Sequence, residues 1–176
     1  MAMHTNLVVK DFDFSDALRL TSQERMRSCV ERVRNRLHDN RDWGVFGLPP
    51  VPEVGASEEE LKELEAQLGM RLPQEYRQFL QDWRYLAIED GLQVWGFPQG
   101  GIGIGTPWVS DEHRLGVTYL VFGYYWGFAD GDQLMFDLSE SNQEVVLYLH
   151  EHGLLYESFA PSFSLALWRM VDEWEN

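Results

Sequence analysis

Residues able to do chemistry are few in this sequence, and each has a plainer structural use. His150-Glu151-His152 sets two imidazoles at i and i+2, which face the same way on a strand and could share a cation. No third ligand accompanies them, so the triplet reads as a polar strand end and no metal is expected. Gly100, Gly101, Gly103 and Gly105 look at first like a phosphate-cradling loop. Thr106-Pro107-Trp108 follows them, however, and neither G-x-G-x-x-G nor G-x-x-x-x-G-K-S/T is matched. No good helix opens there to present amide donors to an anion, so the run reads as a loop and no cofactor is expected. Carboxylates sit close in Asp130/Asp132, Asp111/Glu112 and Glu89/Asp90. Acid–base catalysis needs one carboxyl kept neutral by burial beside one that stays ionised. With 29 acids such pairs arise by chance, and a turn accounts for Asp130 and Asp132. No nucleophile is paired with a base, so no catalytic residue is assigned and the chain is read as non-enzymatic.

The strongest unexplained feature is aromatic. In Tyr124-Tyr125-Trp126-Gly127-Phe128, alternate strand residues point to opposite sides, so one core cannot take all the rings. Either the sheet is covered on both faces or some rings remain open to a partner, and the same choice applies to Trp95 and Trp108. Trp and Tyr suit an interface because they bury much area with few rotatable bonds.

Charge narrows the partners. The 176 residues hold 14 Lys+Arg against 29 Asp+Glu, a net charge of −15 with His neutral. A field of that sign disfavours nucleic acid and anionic membrane surfaces and attracts a basic partner. Nothing approaches the roughly 18 apolar residues of a membrane span. Met1–Val9 lacks the pattern of a signal peptide, so a soluble, cytoplasmic chain is expected. The single cysteine, Cys29, cannot close an internal disulfide.

These side chains need elements to position them. Residues 1–50 carry eight bases and seven acids, a balance of +1, which leaves −16 for the rest. The shift falls beside Leu48-Pro49-Pro50-Val51-Pro52, a stiff connector that no helix crosses. We therefore read a forward extension over 1–50, packed on or flanking the core, and a main domain over 51–176.

Thr21-x-x-Glu24 is a capping box, and Met26, Cys29, Val30, Val33 and Leu37 follow at helical spacing. Cys29 thus reads as a small buried hydrophobe, and Arg25, Arg32 and Arg36 as a solvated face. A second capping box, Ser57 with Glu60, opens a helix through Leu61, Leu64 and Leu68 that ends at Gly69. Pro73 suits the first position of a third helix carrying Tyr76, Phe79, Leu80 and Trp83. Beyond it the period changes. Leu92–Phe97, Val117–Tyr125, Gln133–Leu138 and Glu144–His150 read as strands, with Asp130-Gly131 as a two-residue hairpin turn. A last helix after Ala160-Pro161-Ser162 buries Phe163, Leu167, Met170, Val171 and Trp174. Helices, then a mostly antiparallel sheet, then a closing C-terminal helix make an α+β fold.

Against this frame Ser57–Glu65, Leu68-Gly69, Leu72-Pro73, Tyr76 and Phe79-Leu80 resemble the opening of the SUKH superfamily. Gly131-Asp132-x-Leu134-x-Phe136-Asp137-Leu138 is similar to its Gly-rich hairpin, and Val145-Val146 and Ser162-Phe163 to its last strand and helix. The likeness covers roughly Pro52–Trp174. It departs at Glu89-Asp90-Gly91, where the superfamily often has Asn-Gly, and it leaves out the first fifty residues.

The resemblance implies binding rather than catalysis. Many bacterial members are immunity proteins that neutralise a cognate toxin, commonly a nuclease or deaminase, and fungal relatives are cell-wall and signalling regulators. The reading that follows is occlusion of a basic toxin's cleft by acidic side chains, with aromatic anchors. The candidate residues are Trp95, Trp108, Asp111, Glu112, Tyr125, Trp126, Asp130 and Asp132. The alternatives are a regulatory scaffold or a small-ligand-binding module of the same fold.

Overall fold

The computed structural model describes residues 11–37, 48–97, 105–127, 129, 131–139 and 143–176. Four helices occur among them: α1 (Ser22–Leu37), α2 (Glu58–Leu68), α3 (Gln74–Trp83) and α4 (Phe163–Glu175). The strands are β1 (Leu86–Ala87), β2 (Leu92–Val94), β3 (Trp108–Ser110), β4 (Tyr119–Tyr125), β5 (Gln133–Asp137), β6 (Val145–Leu149) and β7 (Leu154–Ala160). All pairings are antiparallel, in the order β1-β2-β4-β5-β6-β7, and β3 joins β4 beside β2. The α+β reading holds.

Both capping boxes form. Thr21 N–H donates to Glu24 at 2.8 Å while Glu24 N–H donates back to Thr21 Oγ1 at 3.3 Å. Ser57 and Glu60 repeat the exchange at 2.8 and 3.2 Å, and Gly69 ends α2 in the left-handed region at φ 69°. Pro73 sits at the N-cap of α3, one place before the expected position. Reciprocal caps satisfy amide donors that a helix start otherwise leaves open.

The expected stripe of α1 is buried in full, and it belongs to the same core as the other helices. Arg25 and Arg32 are a correction, whereas Arg36 stays exposed as expected. Arg25 is buried, donating to Ser164 Oγ at 3.0 Å and to the carbonyls of Ala17 and Leu20. Arg32 pairs with Asp172 and Glu175 and stacks over Trp168, and Arg36 donates to the Glu175 carbonyl. Arg32 and Arg36 meet the acidic C-terminal end of α4, where cations also suit the helix dipole, whereas Arg25 reaches Ser164 in its first turn.

The sheet is covered on both faces. Leu120, Phe122, Leu134, Phe136 and Leu147 pack with all four helices. On the other face, Tyr119, Val121, Met135 and Val146 pack with Tyr85, Ala87 and Trp95 beneath connecting segments. Tyr85 donates its hydroxyl to the Pro49 carbonyl, Ala87 its N–H to Pro50, and Leu48 and Val117 pack alongside. This face is roofed by loops.

Register shifts between Val121 and Gly123, where β4 bulges and spatial parity changes. Leu120, Phe122 and Tyr125 therefore share the helix side, a placement that strict alternation does not give. Gly123 lets β2 approach, because a Cβ there would stand 2.1 Å from the Gln93 carbonyl oxygen. All four expected strands are shorter in the structure. The first run ends at Val94, since Gly96 turns against Arg84, whose carbonyl oxygen would lie 1.9 Å from a Cβ. The β4–β5 connection spans 126–132, longer than the expected two-residue turn, with Gly131 at φ 90°.

Arg169 fastens α4 to the sheet. It is 1% exposed, sits 4.5 Å from the Phe159 ring centroid, and donates to the Phe159 carbonyl at 3.1 Å and to Glu173 at 3.0 Å. Tyr125 donates its hydroxyl to the other Glu173 oxygen. Removing one partner of such a cluster strands the rest without solvent. Arg169→Ala should lower unfolding stability by about 3 kcal/mol in urea denaturation. A loss below about 0.5 kcal/mol would mean that this cluster does not hold α4 in place.

Candidate functional site

With both sheet faces covered, exposed chemistry gathers on the stretch 105–117. Pro107 is buried, and a proline before a short strand suits a sheet edge. Trp108 and Val109 are 38% and 39% exposed, whereas Ser110 turns inward. Ser110 Oγ accepts the Glu112 N–H at 3.3 Å and lies 3.1 Å from His113 Nδ1. His113 Nε2 is 2.8 Å from Gln133 Oε1, and its ring meets Tyr148 edge-on at 4.6 Å. The imidazole thus pins this segment to the sheet. Asp111 and Glu112 remain exposed, and Leu115 projects fully beside Gly116 at φ 77°.

A groove separates β3 from α2. One part, about 280 Å³, lies among Glu60, Glu63, Leu64, Gln67 and Thr106, with Arg84 and Phe97 opposite. A second part, about 360 Å³, shares Leu64, Gln67 and Thr106 and continues along Leu68, Pro107, Trp108 and Val109. The shared residues make one continuous channel. Its walls are set by the capping box that starts α2 and by the pairing of β3 with β4.

Arg84 holds one end. It pairs with Glu60, donates to the Gly55 carbonyl at 3.0 Å and to Phe97 at 3.3 Å, and lies over the Phe97 ring. These contacts hold it at φ 66°, a conformation that non-glycine residues rarely adopt. Elsewhere on α2, Glu58 and Glu65 pair with Arg77. Hydrogen bonding from Arg77 holds the Glu58 carboxyl below its usual range. For Glu60 the Ser57 amide is the foremost cause of the same shift, opposed by partial burial and aided by Arg84. Glu59 and Glu63 are exposed; Glu63 lines the groove, and the exposed Asp111 and Glu112 follow directly after β3.

The candidate residues divide by burial. Trp108, Asp111 and Glu112 lie together on the exposed segment. Trp95 does not, being 4% exposed with its indole N–H on Gln93 at 3.1 Å and its ring against Tyr124. Tyr125 is 3% exposed because the bulge turns it toward α4. Burial, then Glu173, pushes its hydroxyl above the usual value, so it stays protonated and donates. Asp132 is buried too, accepting the N–H groups of Ala129 and His150 at 3.1 and 3.0 Å, with His150 Nδ1 at 3.1 Å. These three are structural. Trp126 is half-buried, with an indole N–H that meets no acceptor among the described residues. Asp130 lies outside the described residues, as do Gly100, Gly101 and Gly103.

Sequence reasoning missed Val109, Gln67 and Thr106, which line the groove beside Trp108, and ranked Glu63 as a weaker binding candidate. The available signal was the brief run Trp108-Val109-Ser110 after Pro107, too short to stand out by periodicity. Cys29 is buried, which pushes its thiol up to about 12 and leaves it protonated. Among the described residues no group of three or more His, Cys, Asp or Glu could hold a metal ion. No helix there is long and apolar enough to cross a membrane.

Residues 55–167 match the SMI1 / KNR4 family (SUKH-1). Neither the curated proteins nor the solved structures give a match. The matched span contains α2, β3 and the whole groove, and α1 precedes it.

The Glu60 shift sets a pH dependence. A carboxyl depressed in the folded state stabilises fully above its ordinary value of 4.5, and that contribution disappears as pH falls through the folded value. Urea midpoints should therefore drop on acidification below pH 4.5, and Glu60→Gln should flatten that drop while already being less stable at neutral pH. An identical acid dependence in the variant would show that the Ser57 and Arg84 contacts contribute nothing to stability.

Proposed function

Because the chain belongs to the SMI1 / KNR4 family (SUKH-1), we propose that it acts by binding another protein, as an immunity protein that neutralises a cognate basic toxin by occlusion. The observation that carries this reading is the exposed edge at Trp108, Val109, Asp111 and Glu112, set beside an α2 groove on a chain of net charge −15. An aromatic anchor surrounded by carboxylates suits a basic cleft on a nuclease or deaminase. Trp108 supplies buried area on association, and the carboxylates speed encounter and meet cations made for phosphate. Occlusion requires no bond to be made or broken, so the chain's part is recognition alone.

Co-expression with a cognate toxin domain should restore growth to cells that the toxin alone kills. Binding measured by surface plasmon resonance should show an on-rate that falls as salt rises, with the off-rate little changed. Trp108→Ala should weaken affinity about 30-fold, chiefly through the off-rate. Continued killing with both proteins present would end the immunity reading. A salt-independent on-rate would remove its electrostatic part.

A further inference from the structure

We propose that the groove between α2 and β3 receives one extended basic segment of the partner, which adds as a strand to the outer edge of β3. This deepens the protein-recognition reading above and rests on it.

The geometry favours a strand. β3 pairs with β4 in the register Trp108↔Val121, Val109↔Leu120 and Ser110↔Tyr119. β2 takes the rest of that β4 edge, from Leu92↔Tyr125 to Val94↔Gly123, and is itself covered by β1. Among the described residues β3 has β4 as its one strand neighbour. A strand edge offers backbone donors and acceptors to an added chain, which is how many domains capture extended peptides.

The groove supplies what an added strand needs besides backbone. Leu64 and Leu68 of α2 face Pro107 and Trp108 across it, so one set of alternate side chains meets apolar walls. The other set points toward a rim that includes Glu63, and the exposed Asp111 and Glu112 follow directly after β3 in the chain. Arg84, the one base lining the channel among the described residues, is committed to Glu60 and two carbonyls. The complementary segment therefore alternates apolar residues with Lys or Arg. A second copy of this chain would bring the same acidic rim and −15 charge against itself.

The test uses the full chain and synthetic peptides of about ten residues alternating Val and Lys. Amide shifts followed by NMR should move at Trp108–Ser110 and Leu64–Leu68, with saturation below about 1 mM peptide. N-methylating alternate backbone amides should abolish binding in one register and leave it within about twofold in the other, since one strand edge meets β3. Exchanging Lys for Glu in the peptide, or making Glu63→Lys in the exposed wall, should weaken binding at least about tenfold. Equal tolerance of both N-methylated registers, no saturation by about 1 mM, or shifts confined to other elements would overturn the proposal. Self-association through the same amides would also overturn it, by placing a second copy there. If the cognate toxin binds and is neutralised while Trp108–Ser110 stay unshifted, strand addition fails and the immunity reading stands.

Discussion

The constraint on which the rest depends is that β4 is buried on both sides. Leu120 and Phe122 face the helices while Tyr119 and Val121 face the loop-covered layer, and all four are at most 1% exposed. A half-buried antiparallel sheet would keep one face polar and wet. Around β4 neither face is open, although Tyr124, Tyr148 and Leu155 keep partial exposure on the loop side, so recognition falls mainly to edges, helices and loops. The aromatic run of β4 is consumed by that double burial. Trp108 escapes it because β3 is three residues long and has a groove, not a strand, beyond it.

The arginines of α1 explain how so acidic a chain holds together and still offers an anionic rim. Arg25, Arg32 and Arg36 all turn toward α4, where they meet Ser164, Asp172 and the Glu175 end. Arg77 and Arg84 likewise neutralise Glu58, Glu65 and Glu60 within the fold. Much of the positive charge is thus used internally, while Glu59, Glu63, Asp111 and Glu112 stay exposed. Charge asymmetry in the sequence becomes spatial asymmetry in the structure. The family match begins at residue 55, so α1 is an addition whose stripe joins the shared core.

Much of this was legible in the sequence, for identifiable reasons. Capping boxes at Thr21 and Ser57 are local and self-contained, and helical periodicity gave the buried faces of α1, α2, α3 and α4. The fate of Tyr125 was not legible, because a bulge reverses facing with no mark in composition. Arg25 was misread because spacing reports the angle around a helix, whereas a long side chain reaches a neighbour at its margin. β1 and β3 are too short to carry a period, and the groove depends on elements some forty residues apart in the chain. Asp132 looked like surface charge, yet it is buried and its carboxylate accepts the N–H groups of Ala129 and His150.

The most direct test is a hydrogen–deuterium exchange footprint of the intact chain bound to the basic partner proposed above. Slower exchange should concentrate at residues 106–112 and 60–68, with α1 and α4 unchanged. Protection centred on α1 and α4, with 106–112 exchanging as in the free chain, would contradict the claim that recognition occurs at this edge.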